Sequence, residues 1–113
     1  MAQIWEDFID RLDVSGLPAE VKEFSKDALK KLVRDTRRDS EDFLRRRGED
    51  MARYLTQLAS GKITKAQFQG YVEDMKDLIE LRALKLSVQA RARAEVLAKN
   101  ISVQILGGLL VLI

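Results

Sequence analysis

The chain has 113 residues, of which 46% are apolar and 34% charged, with 20 basic against 18 acidic side chains. One chain of this length makes one domain, and interspersed charges of both signs make a solvated, ion-paired surface rather than a nucleic-acid footprint. The lack of cysteine and histidine excludes disulfides, zinc–thiolate sites and histidine ligation of haem, and removes the usual general base.

The opening residues, Met1 to Asp7, are acidic and carry no basic stretch of the kind that begins a signal peptide. The expectation is a cytoplasmic protein. Residues 2–13 place Ile4, Trp5, Phe8, Ile9 and Leu12 on one helical face, with Glu6, Asp7, Asp10 and Asp13 on the other against a lone Arg11. A helix that rests on a membrane surface carries lysine and arginine there, so this one is expected to pack on protein. Ser15, Gly16 and Pro18 then break the chain, and Pro18, Glu20 and Glu23 suit the first turn of the next helix.

From residue 18 to 59 no further proline occurs, and apolar side chains recur at steps of three and four, among them Leu32, Phe43 and Tyr54. The spacing predicts one long helix. It is thin between Thr36 and Arg47, where pairs such as Glu41–Arg45 and Asp42–Arg46 would each add only ~0.3 kcal/mol, and Gly48 is a place for a bend. Gly61 then fits the residue after a helix end. Thr64 and Gln67 form a T-x-x-Q capping box, with Ile63 and Phe68 as its hydrophobic staple. The turn is tight enough to send the next helix back antiparallel.

That second helix is predicted over 65–106. Its stripe, Phe68, Val72, Met75, Ile79, Ala83, Leu86, Ala90, Ala94, Leu97, Ile101 and Ile105, repeats every eleven residues, the period of a nearly straight coiled-coil seam. Leu32, Phe43 and Tyr54 share that interval. Two such helices would make a slender hairpin of ~60 Å at 1.5 Å per residue, which covers only one stripe of each.

The run from Ile105 to Ile113 has no polar side chain. As a helix it is ~13 Å long, less than half a bilayer, and a span of ~20 residues would take in Glu95, Lys99, Asn100, Ser102 and Gln104. Before it lies a basic collar, Arg82, Lys85, Arg91, Arg93 and Lys99. It suits either anionic headgroups or acids of a neighbouring helix such as Asp10, Asp13, Glu20 and Glu23. Gly107 and Gly108 permit a close backbone approach or end the helix.

Chemistry finds little footing. Glu73, Asp74, Asp77 and Glu80 share a helix face, but di-metal bundles pair glutamate with histidine. Arg37-Arg38 and Arg45-Arg46-Arg47 are interleaved with acids and lack alternating aromatics. No phosphate loop, nucleophile elbow or dinucleotide fingerprint is present. The expectation is an all-α, non-enzymatic structural protein with no cofactor, metal, nucleic acid or small-molecule substrate, whose partner is itself in a ring, tube or filament. Trp5, Phe8, Ile101, Ile105, Leu106, Leu109, Leu110, Val111, Leu112 and Ile113 are its expected oligomer contact. The alternatives are a scaffold or pore whose tails cluster in membrane lipid, and an adaptor that binds another protein's helix.

Overall fold

A computed structural model describes residues 3–15, 18, 21 and 23–113. Gly16 and Glu20, assigned above to the break and to the start of a helix, lie outside them. The all-α class holds: every regular element among the described residues is helical. The difference lies in the lengths, because each of the two long helices is folded in two.

In α1 (Ile4–Asp10) the i, i+4 pair Trp5 and Ile9 is buried. α2 (Lys26–Arg37) starts at Ser25, whose side chain accepts from the Ala28 N–H, and buries Leu29, Leu32, Val33 and Thr36. The chain then turns over 38–41. Asp39 Oδ1 accepts from the Glu41 N–H, and the Glu41 carboxylate accepts from the Leu44 N–H to start α3 (Asp42–Ala59). Glu41 is thus a helix cap rather than a partner of Arg45, which pairs with Asp42 instead. A few tenths of a kcal/mol per surface ion pair cannot hold this polar stretch helical when reversal lets two apolar faces meet.

Gly48 supports that reversal in an unforeseen way. It marks close contact rather than a bend: a β-carbon there would overlap the α2 backbone at Thr36 and Arg37.

The next turn is the predicted one. Gly61 has φ +72°, and Thr64 and Gln67 complete both halves of the capping box at the start of α4 (Lys65–Ala83). α4 buries Phe68, Val72, Met75, Ile79 and Ala83. A further turn follows at 84–87, where the Ser87 hydroxyl accepts from the Ala90 N–H and begins α5 (Val88–Asn100). The eleven-residue stripe runs through this turn unbroken, because Ala83, Ala90 and Ala94 are buried on both sides of it. Periodicity registers a shared face and not a straight axis.

α5 continues into a π-helical segment, Ile101–Leu109, and a closing turn, α6 (Leu110–Leu112). Along the π segment the carbonyls of Ser102 and Val103 lie under Gly107 and Gly108, five residues on, where β-carbons would crowd them at 3.0 Å. The glycines make room for the wider winding.

Lys65 Nζ donates to the Ile113 carbonyl at 3.1 Å, Gln104 bonds to the 23–25 strand of loop, and Arg93 reaches Asp39. These contacts place α5 antiparallel to both α4 and α2. The result is an up-down-up-down bundle of α2, α3, α4 and α5, with α1 laid across α2 and α3. Its extents are 40 × 31 × 26 Å, so the ~60 Å hairpin is corrected to a bundle of half-length helices. Fourfold packing covers more apolar surface than two extended helices can.

Candidate interaction surface

The tail faces inward. Trp5, Ile101, Ile105, Leu109 and Leu110 belong to the core, and Phe8, Leu106, Leu112 and Ile113 pack partly buried against it. Of the residues expected at an oligomer contact, only Val111 is exposed, at 51%. Complete burial of an Ile or Leu side chain contributes roughly 1.5–3 kcal/mol, so the chain's own helices give the tail much of the cover it needs.

Gln104 fixes it there. The side chain is buried, its Oε1 accepts from the Ser25 N–H at 3.1 Å, and its Nε2 donates to the Glu23 carbonyl at 2.7 Å. A polar interruption for a membrane span, Gln104 here satisfies two backbone groups ahead of α2 that would otherwise lack these partners.

The seam residues share the same interior. Leu32, Phe68, Val72, Met75, Ile79 and Leu97 are buried, while Phe43, Tyr54, Leu86 and Ile63 lie at the edge of the core. Phe43 stands between the guanidiniums of Arg47 and Arg82, at 4.7 and 5.5 Å from its centroid. Tyr54 meets Tyr71 with ring centroids 5.3 Å apart.

The basic collar divides. Arg93 makes a two-pronged pair with Asp39, both bonds 3.0 Å, across α5 and the α2–α3 turn. Arg91 lies 3.6 Å from Glu95 on its own helix, and Arg82 rests on Phe43. Among the described residues, Lys85 and Lys99 have no ion-pair partner. Two of the acids expected beside the collar are engaged elsewhere: Asp10 holds Lys30 at 2.7 Å, and Asp13 accepts from Ser15.

Burial works against ionisation of Asp39, but the Arg93 hydrogen bond, the Glu41 N–H and the charges of Arg93 and Arg45 outweigh it. They hold its carboxyl below the usual carboxylate range. For Asp10 the Lys30 hydrogen bond is the largest influence and again lowers the value.

In the cleft of about 210 Å³ between α3 and α4, near Tyr54, Tyr71 and Asp74, Asp50 is already bound by Arg47 at 3.2 Å and Arg53 at 2.7 Å. Arg53 donates a hydrogen bond to it, whereas the Nε of Arg47 is buried without a hydrogen-bond partner, so the Arg47 contact is an ion pair alone. Of the acidic face on α4, Glu73 accepts from Gln69 and Glu80 pairs with Lys76. Among the described residues no group of three or more acids is placed to hold a metal ion.

The most exposed large apolar side chains among the described residues lie at the α4–α5 turn and on α5. Leu81 is 71% exposed, Leu84 68%, Val88 85% and Val96 58%. Leu81, Leu84 and Val88 crowd the α4–α5 turn, and Val88, Ala92 and Val96 form an i, i+4, i+8 row along α5. Beside that row, between α2 and α5, runs a largely apolar groove of about 440 Å³, lined by Ala28, Leu32, Ala92, Val96 and Leu97 among others. In the sequence this row is short and crosses the basic collar, so its spacing gives no sign of a shared face.

No protein-family model, curated protein or solved structure matches the chain. The run Val88–Leu112 is 25 residues long and contains an 18-residue stretch with a mean hydropathy of 1.5, which by length and composition is enough to cross a membrane. The core helix of a soluble protein meets the same description.

Proposed function

We propose that this chain is a non-enzymatic structural protein that assembles with copies of itself, and that the outer side of α4 and α5 is its contact. The observation that carries the reading is that Leu81, Leu84, Val88 and Val96, at the α4–α5 turn and along α5, are the four most exposed large apolar side chains among the described residues, ahead of Ile4, Val111, Tyr71 and Val14. On α5 the outer face carries an apolar row, Val88, Ala92 and Val96, between the charged side chains of Arg91, Arg93 and Glu95. Exposed apolar residues that gather beside a groove mark contact sites more often than scattered ones do. Sedimentation equilibrium tests it. Mass should rise with concentration to a multiple of 12.9 kDa, and Val88→Lys or Val96→Lys should return the chain to monomer while Val111→Lys does not. A monomer at every concentration would sink the reading.

Membrane association is the second reading, favoured by the length and hydropathy of Val88–Leu112. It requires the tail to leave the core and break both Gln104 hydrogen bonds. Flotation with anionic vesicles that is lost on deletion of residues 101–113 would favour it over self-assembly in water.

A further inference from the structure

We infer that the pocket between α1 and the end of α2 binds a phosphate monoester, held by Arg34, Arg37 and Arg38. The inference does not depend on self-assembly and concerns a different part of the bundle.

The pocket has a volume of about 330 Å³ and is lined by Gln3, Trp5, Glu6, Arg34, Arg37 and Arg38. The spacing 34, 37, 38 puts the three arginines on one face of α2, so three guanidiniums border one concavity. In sequence they are interleaved with acids, but the fold parts the two signs. Asp35 and Asp39 line the groove on the α5 side of α2, where Asp35 pairs with Lys31 and Asp39 with Arg93. Basic side chains near a helix C-terminus also complement its dipole. That role requires neither a recess nor a separation from neighbouring acids.

Glu6 is the one carboxylate among the residues that line the pocket, and it takes Arg34, at 2.8 Å. Arg37 donates to a neutral group, Gln3 Oε1, at 2.9 Å. Among the described residues neither Arg37 nor Arg38 has an ion-pair partner. Three positive charges against one leave an excess of two, close to the charge of a phosphate monoester at pH 7. Its three terminal oxygens can accept from several guanidinium forks at once, which a single carboxylate cannot do. Gln3 adds a donor: Trp5 and Arg37 both donate to its Oε1, and its amide nitrogen has no acceptor among the described residues. The volume lies at the small end of ligand pockets, which suits a phosphate with a short ester group or the headgroup of a lipid monoester.

Methyl phosphate is the probe, titrated into the full-length chain at an ionic strength held constant with sodium chloride. Its phosphorus NMR line should broaden saturably. The emission of Trp5, the only tryptophan, should change with it, because the ligand draws Arg37 from the oxygen that both share. Arg37→Gln or Arg38→Gln should weaken binding about tenfold or more, the effect of one lost charge-assisted pair. Arg46→Gln, outside the pocket, should leave it unchanged. Glu6→Gln should tighten binding several-fold by freeing Arg34, a gain that a damaged fold cannot imitate. Phosphatidylcholine vesicles containing phosphatidic acid separate the two sources of the group. If they float the protein and displace methyl phosphate, the monoester is a lipid headgroup; if they do neither, it is a soluble one. No saturable broadening, or broadening untouched by the changes at Arg37 and Arg38, would overturn the site.

Discussion

The ring of Phe24 lies directly on Gly108, so close that a β-carbon on the glycine would overlap Cδ2 and touch Cγ. This contact joins the loop ahead of α2 to the π segment, and Gln104 secures the same two pieces of chain one turn earlier. The tail is held at two neighbouring points, one apolar and one polar.

Gly108→Ala should therefore destabilise the fold by roughly 1–3 kcal/mol, the cost of overpacking a filled site. The helix preference of alanine offsets only part of it. Chemical denaturation measures the change, and the double variant with Phe24→Leu should recover part of the loss. Equal or greater stability of Gly108→Ala would show that the ring yields freely.

Gly48 and Gly70 make an opposed pair. A methyl at 48 meets main-chain atoms of α2, which cannot swing aside, whereas a methyl at 70 meets nothing within 4 Å. Gly48→Ala should lower the melting temperature and separate α2 from α3. Gly70→Ala, in the middle of α4, should raise stability by about 0.5–1 kcal/mol through helix preference alone.

Replacement of Gln104 by Leu leaves the Ser25 N–H and the Glu23 carbonyl without their partner. The expected loss is about 1–3 kcal/mol, and exchange of the Ser25 amide with solvent should quicken more than that of amides in α3. A variant as stable as the natural chain, with unchanged exchange at Ser25, would mean that these bonds contribute nothing to holding the tail.

Acid should loosen the α2–α3 turn. The folded chain holds Asp39 below its usual range, so the unfolded chain binds that proton first as pH falls. The stabilisation is complete above the ordinary carboxylate value of about 4 and drains away below it. Asp10, lowered by Lys30, adds in the same direction. In Asp39→Asn the difference in stability between pH 6 and pH 3 should shrink, as read by urea denaturation at each pH.

Local rules written in adjacent residues were legible in the sequence. Thr64, Gln67 and Gly61 settle a turn among themselves, and the buried stripe of α4 follows from spacing. The turns at 38–41 and 84–87 were less visible: Glu41 is a poor capping signal in a stretch where the apolar stripe merely thins, and Ser87 lies inside a stripe that continues across it. Their force comes from distant faces: Leu32 and Val33 gain by meeting α3, and Ala94 and Leu97 by meeting α4. The candidate contact was hidden for a related reason. Val88 and Val96 read as ordinary helix positions until the fold of the chain turns them outward.

The turn around Gly61 has one more consequence. It is exposed, and each side of it carries a complete helical hairpin, α2–α3 and α4–α5, whose internal contacts are close in sequence. The site is thus suited to a deliberate cut. Two separately produced fragments, 1–60 and 61–113, would have complementary apolar faces and should rejoin into the native bundle when mixed. Gln104 and Phe24 would then act between chains as the clasp that tells a correct reunion from a mere aggregate.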